Sequence, residues 1–214
     1  MGEERTIGPA EAPNTGTPTR PRSASGIVLL RRGAKHSERA LEVLLLKRSG
    51  AARFMPNVWV FPGGAVDAAD GEGEAGHRAC AIRELAEEAS IELRDDEELV
   101  LFSRWVTPEI ISTRFDAWFY LALAPAHTPP EPDGVETVEA RWFKPADAIA
   151  AQEAGAIVLS FPTVNQLRLL LPFRTSDEAL AAFRGRDVES VTPKIVGGED
   201  NWRPVLPGDP DYPA

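Results

Sequence analysis

A glycine turn that leads directly into an acidic helix constrains this chain more than any other feature of its sequence. The stretch FPGGAVDAADGEGEAGHRACAIRELAEEASI occupies residues 61–91. On an α-helix, positions three and four apart share a face, so Glu84 lies beside Glu87 and Glu88, and Arg83 lies beside Glu87. The chain must therefore fold so that three carboxylates lie together next to a sharp bend.

This cluster of like charges indicates a site for a hard divalent cation. Like charges on one helical face repel each other, whereas Mg²⁺, Mn²⁺ and Ca²⁺ prefer oxygen ligands. Gly63 and Gly64 leave room for a backbone carbonyl or N–H to reach the metal or a phosphate oxygen. A solvated helix face and a strand-ending turn would each explain half of the pattern. The two in succession predict a cation held against a diphosphate.

The stretch is identified as a Nudix box by resemblance. The Nudix pattern is G-x5-E-x7-R-E-U-x-E-E-x-G-U, in which U is aliphatic, and Gly64 fits its first position. The second half of the pattern fits in register at Arg83, Glu84, Leu85, Glu87, Glu88 and Ile91.

Two positions depart from the pattern. Asp70 stands where the first Glu is expected, and twelve residues instead of seven separate it from Arg83, so the loop carries an insertion. Asp70, Glu72 or Glu74 could therefore take the role of the first acid. Ser90 replaces the late Gly. The three helical carboxylates are unaffected by either change.

The resemblance continues outside the box, over roughly residues 25–214. The segments that carry it are VLLLKRSGAARFMPNVWVFPGGAVDAAD, RWVTPE followed by RFDAWFYLAL, ETVEARWFKPADAI, and LPGDPDYP. They resemble the Nudix subgroup related to the coenzyme A diphosphatases of mitochondria and peroxisomes. The implied fold class is α/β, the Nudix α/β/α sandwich with a mixed β-sheet. The order of strand and helix patterns along the chain agrees with a mixed sheet covered by helices.

The resemblance implies hydrolysis of a diphosphate linkage in a nucleoside diphosphate derivative, assisted by Mg²⁺ or Mn²⁺. Coenzyme A or an acyl-coenzyme A is the favoured substrate. Two alternatives stay open: a Nudix hydrolase of ADP-ribose, NADH or nucleotide sugars, and a non-catalytic Nudix ligand-binding protein. The resemblance also leaves a homodimer open, because dimers are frequent in the family, whereas the sequence does not fix the oligomeric state.

Site residues follow from the resemblance by position. The implied metal ligands are Glu84, Glu87, Glu88 and the carbonyl of Gly64. The proton of the attacking water would go to one of these carboxylates or to an acid outside the box. The implied catalytic residues are Glu84, Glu87, Glu88, Arg83 and Glu139. Arg83 would brace Glu87 and the loop. The acid outside the box, here called the outside acid, is Glu139, with Glu136 as a further candidate.

Substrate-binding residues are expected just before the glycine turn and within it. An arginine fork suits terminal phosphates, so Arg48 and Arg53, next to Lys47, are candidates together with Gly63 and Gly64. Solvated charges at a strand end would explain the same cations. The apolar residues nearby could pack a base or a pantetheine arm, although core packing explains them as well: Phe54, Met55 and Trp59.

The organisation along the chain is simple. Residues 1–25 are rich in proline and poor in large apolar side chains, which predicts a flexible tail. Residues 26–190 form the Nudix domain, whose first two strands are joined by a hinge at residues 33–39. Residues 191–214 form a C-terminal extension that we expect to dock on the core.

Composition excludes several other functions. A net charge of −10 argues against nucleic-acid binding, since a polyanion would be repelled. The longest apolar runs are far shorter than a membrane span. The single cysteine, Cys80, cannot form an internal disulfide, and no export signal is visible, so we expect a cytoplasmic protein. The isolated histidines are predicted to be surface residues (His36, His77, His127), and three tryptophans to be core residues (Trp105, Trp118, Trp142).

Overall fold

The structure, a computed structural model, describes residues 14, 16–32, 41–94, 98–126, 128–197 and 202–213. In chain order, the strands and helices are β1 (Arg22–Arg32), β2 (Leu41–Arg48), β3 (Trp59–Val60), β4 (Gly63–Ala65), α1 (Gly73–Ala89), β5 (Val100–Val106), β6 (Phe115–Leu123), β7 (Thr137–Phe143), α2 (Pro145–Glu153), α3 (Phe161–Leu170), α4 (Ser176–Phe183), β8 (Ser190–Val191), β9 (Lys194–Val196) and β10 (Arg203–Val205).

A mixed sheet forms the centre of the fold. Its strands follow the order β3-β2-β1-β6-β5-β8, with β4 paired to β1 and β7 paired to β2. β1 runs parallel to β6 and antiparallel to β2 and β4. The antiparallel hairpin β9–β10, here called the C-terminal hairpin, stands apart from this sheet. None of the described helices is long and apolar enough to cross a membrane.

Helices cover both faces of the sheet, as the apolar runs of the first two strands require. Successive side chains of a strand point to opposite faces, so an uninterrupted apolar run fits a strand that is buried on both sides. In β1, Ile27 and Leu29 pack in a cluster with Leu85 of α1. Val28 packs in a second cluster with Leu167 of α3. The predicted α/β/α sandwich is confirmed.

The helix of the acidic motif runs from Gly73 to Ala89 and ends in an unusual backbone conformation. Ser90, the C-cap, has φ of 54° and lies in the left-handed region. Glycine adopts this conformation without strain, which explains why the Nudix pattern has Gly here. Ser90 keeps the same turn, and its N–H donates to the carbonyl of Ala86 at 3.0 Å.

The two ends of the chain contact the domain. The prediction of a tail over residues 1–25 is wrong for its last four residues, because β1 begins at Arg22. In the C-terminal extension, Val205 is fully buried, and the Tyr212 hydroxyl donates to the carbonyl of Thr192 at 3.0 Å. Residues 1–13 and 15 of the predicted tail, and the predicted hinge, lie outside the described residues.

Candidate functional site

A cavity of about 1140 Å³ opens where β4 meets α1. It is lined by residues from both helical layers of the sandwich and from the C-terminal hairpin. The part formed by β4 and α1, here called the polar half, is lined by Gly63, Gly64, Ala65, Arg83, Glu84, Glu87 and Glu88.

Glycine is required at the turn because β4 passes very close to its neighbours. Gly63 pairs with Gly26 of β1, and Gly64 pairs with Ser25. A Cβ on Gly64 would lie 2.4 Å from Oε1 of Glu84, and one on Gly63 would lie 2.5 Å from the carbonyl oxygen of Ser25. Both separations are shorter than van der Waals contact, so a side chain at position 63 would collide with the backbone of β1, and one at position 64 would displace the carboxylate of Glu84.

Glu88 is the most deeply buried of the three carboxylates. Its side chain accepts a hydrogen bond from the backbone N–H of Gly63 at 2.9 Å, and the residue is only 3% exposed. Burial, together with the negative charge of Glu84, raises the pKa of Glu88 to about 8, against the opposing effect of the Gly63 N–H. A cation at this position would favour the charged carboxylate.

Glu84 and Glu87 share the guanidinium of Arg83. Nη1 of Arg83 donates to Oε1 of Glu84 at 2.8 Å and to Oε2 of Glu87 at 2.9 Å. Burial raises the pKa of Glu84 despite this bond, and the charge of Glu87 contributes. In the part of the chain that the structure describes, no three His, Cys, Asp or Glu side chains already form a metal cage. The three carboxylates therefore converge only in part as predicted, because two of them pair with the positive charge of Arg83 and do not surround a shared metal position.

The donors around the turn fit a hard divalent cation. They are carboxylate and carbonyl oxygens, which Mg²⁺ and Mn²⁺ prefer over softer metals. The carbonyl of Gly64 accepts a weak hydrogen bond from Sγ of Cys80 at 3.6 Å, so it points toward α1, which carries the three glutamates. The raised pKa values of Glu84 and Glu88 mark buried carboxylates whose charge is incompletely compensated.

Asp70 takes the bracing role among the three acids of the inserted loop. Arg83 binds it through two nitrogens, Nε to Oδ1 and Nη2 to Oδ2, both at 2.9 Å. This pairing with Arg83 lowers the pKa of Asp70. Arg83 thus contacts both Glu87 and the loop, which is the arrangement that the predicted bracing role requires. Glu72 and Glu74 are not among the residues that line the cavity.

Of the two acids proposed outside the box, the structure favours Glu136 over Glu139. Glu136 lines the cavity, and its charge raises the pKa of both Glu84 and Glu88. Glu139 does not line the cavity and forms an ion pair with Arg141, two positions along the same face of β7. Glu136 is therefore the candidate that lies at the cavity, and which of the two acids takes the proton stays a prediction.

The loop before β7 fixes the position of Glu136. Oδ1 of Asp133 accepts hydrogen bonds from the backbone N–H groups of Val135, Glu136 and Thr137, at 3.0, 3.0 and 2.8 Å. The Thr137 hydroxyl in turn donates to the carbonyl of Glu88 at 2.9 Å. This chain of bonds ties the outside acid to the end of α1.

The predicted arginine pair is only half present. Arg48 lines the cavity, and its Nε donates to the carbonyl of Phe54 at 3.0 Å. Arg53 is exposed and does not line the cavity, and neither does Lys47, so both fall outside the site. Two cations that the sequence did not single out also line it: Arg22 at the start of β1 and Arg168 on α3.

Several apolar and aromatic predictions are also settled. Phe54 and Met55 line the cavity, whereas Trp59 is 3% exposed and belongs to the core. Trp105 is both a core residue and part of the cavity wall. Trp118 and Trp142 are half-buried and pack against the core cluster on the α1 side.

His77 contradicts the prediction of a surface histidine. Its ring stacks on Trp118 at a centroid distance of 4.5 Å, and Nδ1 lies 2.8 Å from Oγ of Ser25. Burial lowers the pKa of His77. The side chain faces β1 because it lies on the inner side of α1. His36 and His127 lie outside the described residues.

Comparison with known proteins agrees with this architecture. The family described as "NUDIX domain" matches residues 20–161. The putative nudix hydrolase 7 of Caenorhabditis elegans is 28% identical over 89% of this chain and 74% of its own. The acyl-coenzyme A diphosphatase NUDT19 of Xenopus laevis is 25% identical over 80% of this chain and 71% of its own. The NUDIX hydrolase structure from Alicyclobacillus acidocaldarius is similar in fold, with a TM-score of 0.69 and 24% identity, over 79% of this chain and 99% of that one.

Proposed function

The chain belongs to the NUDIX domain family, and on that premise we propose that it is a pyrophosphohydrolase that cuts the diphosphate linkage of a nucleoside diphosphate derivative. The favoured substrate is coenzyme A or an acyl-coenzyme A. The observation that carries the proposal is the set of carboxylates on α1 that faces the glycine turn on the wall of one large cavity. The likeness to a vertebrate acyl-coenzyme A diphosphatase supports the choice of substrate.

The residues that would hold a cation are Glu84, Glu87, Glu88 and the carbonyl of Gly64. A divalent cation bound there, Mg²⁺ or Mn²⁺, supplies positive charge against the diphosphate oxygens. The side chain of Glu87 is 59% exposed. Its ion pair with Arg83 therefore lies at the surface, where such a pair contributes about 0–1 kcal/mol to stability. Glu87 can therefore leave Arg83 at low cost when another positive charge is present.

The other residues of the site neutralise charge and move the proton. Arg48 and Arg22 line the same cavity and suit phosphate oxygens, because a guanidinium presents several donors in one plane. Glu136, tied to the end of α1 through Asp133 and Thr137, is the candidate for taking the proton from the attacking water. General-base catalysis requires such a group within hydrogen-bond reach of that water.

The assay that tests the proposal uses the full chain with coenzyme A and either Mg²⁺ or Mn²⁺. We expect metal-dependent release of 3′,5′-ADP and phosphopantetheine, identified by their masses, and no release when EDTA is present. ADP-ribose, NADH and nucleotide sugars are compared in the same assay. If one of these is the better substrate, the choice of coenzyme A is wrong. If no diphosphate compound is cut, the alternative of a non-catalytic ligand-binding protein replaces the enzyme.

Two further properties can be measured directly. The sequence predicts a cytoplasmic location, and the resemblance leaves open whether the chain is a homodimer. Microscopy of a tagged full-length protein would test the location, and size-exclusion chromatography with light scattering would measure the oligomeric state.

A further inference from the structure

The cavity has a second part whose lining is apolar. Here called the apolar half, it is lined by Phe119, Ile149, Phe161, Val164, Ile195 and Pro204, which come from β6, α2, α3 and the C-terminal hairpin. Phe119, Ile149 and Val164 pack against the core cluster between the sheet and helices α2 to α4. The glutamates of the polar half lie on α1, in the opposite layer. One cavity therefore joins a charged region in one layer to an apolar region in the other.

Three polar side chains close to the apolar half are already hydrogen-bonded within the protein, whereas the indole Nε1 of Trp105, packed against Phe161, has no partner among the described residues. Oε1 of Gln152 accepts from the backbone N–H of Leu159 at 2.6 Å. The hydroxyls of Ser160 and Thr163 bond each other at 2.7 Å. A sugar or a second nucleotide would bring hydroxyl groups that find few partners here, and burying unpaired polar groups is costly. An unbranched apolar chain has no such groups.

The size of the cavity also exceeds what a diphosphate alone would fill. Its volume of about 1140 Å³ lies above the roughly 300–1,000 Å³ that is usual for small-molecule sites. A ligand with its diphosphate at α1 would extend its far end toward α3 and the C-terminal hairpin. The charged residues that α2 and α3 contribute to the lining, Glu153 and Arg168, are exposed and so lie toward solvent.

We propose that the apolar half binds the acyl chain of an acyl-coenzyme A and makes the enzyme prefer acylated over free coenzyme A. This inference rests on the proposed function, because it places the diphosphate in the polar half. Ile195 and Pro204, paired across the C-terminal hairpin, form part of the wall of the apolar half. They set the longest chain that fits.

The test compares kcat/KM for free coenzyme A and for saturated acyl derivatives from acetyl to dodecanoyl. Each buried methylene should raise kcat/KM about fourfold until the apolar half is full. If kcat/KM stays flat along the series while free coenzyme A is cut, the acyl-chain site is wrong and the proposed function stands. If the protein cuts neither coenzyme A nor any derivative, the proposed function fails and the acyl-chain site falls with it.

Substitutions in the wall of the apolar half test whether the preference for long acyl chains arises there. Val164→Trp fills the apolar half and should lower the ratio of kcat/KM for dodecanoyl-coenzyme A over coenzyme A by at least about tenfold. Leu169→Trp is the matched control, because Leu169 lies on the same helix, is 47% exposed and does not line the cavity. Its ratio should equal that of the unaltered protein.

A second variant covers the case in which the tryptophan at position 164 disturbs folding. Ile195→Asp puts a charge at the half-buried hairpin wall, where an apolar chain would have to cover it. The same ratio should fall, and circular dichroism reports whether each variant is folded. A folded Ile195→Asp protein with an unchanged ratio would overturn the role of the C-terminal hairpin, and unchanged ratios in both variants would overturn the acyl-chain site.

Discussion

The two halves of the cavity are built in different ways. The polar half comes from one continuous stretch, in which β4 turns into the loop and helix that carry the carboxylates. The apolar half is assembled from β6, α2, α3 and the C-terminal hairpin, which are far apart in the chain. The groups that carry the proposed chemistry are therefore encoded locally, whereas the shape that selects a substrate depends on the whole fold.

The sharpest test of the polar half is Glu88→Gln, which keeps the shape of the side chain and removes its charge. We expect kcat to fall roughly 1000-fold, because charge directed at the reacting phosphates dominates such catalysis. Glu92→Gln, at an exposed position just beyond α1, is the control and should retain full activity. A Glu88→Gln protein that keeps most of its activity would show that the local motif does not carry the chemistry.

The outside acid gives the next largest effect. Glu136→Gln should lower kcat by at least about 100-fold, the usual contribution of a general base, with little change in KM. Glu139→Gln, three positions along the chain and paired with Arg141, should change kcat less than about twofold. Equal effects of the two substitutions would contradict the assignment of Glu136.

Gly64→Ala tests whether the close approach of β4 and α1 is needed. The new Cβ would displace the carboxylate of Glu84, 2.4 Å away, and should weaken Mn²⁺ binding about 10- to 100-fold. Gly16→Ala is a suitable control, since its Cβ would meet only an ordinary contact at 3.8 Å. Isothermal titration calorimetry measures both. Equal Mn²⁺ affinity in the two variants would show that the turn does not shape the site.

The last prediction concerns the free energy of unfolding, measured in EDTA so that no metal is bound. Glu88 has a pKa of about 8 in the folded protein against an ordinary value of 4.5, so the folded state holds its proton more tightly than the unfolded state. The stabilisation is therefore complete below about pH 4.5 and is lost as the pH rises toward 8, by an amount on the order of a few kcal/mol. Urea denaturation at several pH values should show this loss, and Glu88→Gln should reduce it. The prediction is wrong if the free energy of unfolding depends on pH in the same way in the two proteins.

The polar half was largely predictable because the spacing of an α-helix places its residues. Glu84, Glu87, Glu88 and Arg83 lie within two turns, so one period decides which of them share a face. The fold class was also predictable, since the apolar runs of β1 and β2 require a strand that is buried on both faces.

The failures of prediction have a common physical cause. Arg22 reaches the cavity only because β1 pairs in parallel with β6, and this pairing joins residues more than ninety positions apart. Glu136 and Glu139 could not be distinguished because the choice depends on hydrogen bonds to Asp133. His77 seemed isolated in sequence, yet its partners Ser25 and Trp118 come from β1 and β6. Contacts between residues so far apart in the chain leave no pattern in the local sequence.

The most direct measurement of the central claim is an anomalous-difference map from a crystal of the protein soaked in Mn²⁺. We predict a peak between α1 and β4, within coordinating distance of Glu84, Glu88 and the carbonyl of Gly64, with Glu87 released from Arg83. A map with no peak there, in which Arg83 still binds Glu84 and Glu87 at saturating Mn²⁺, would contradict it.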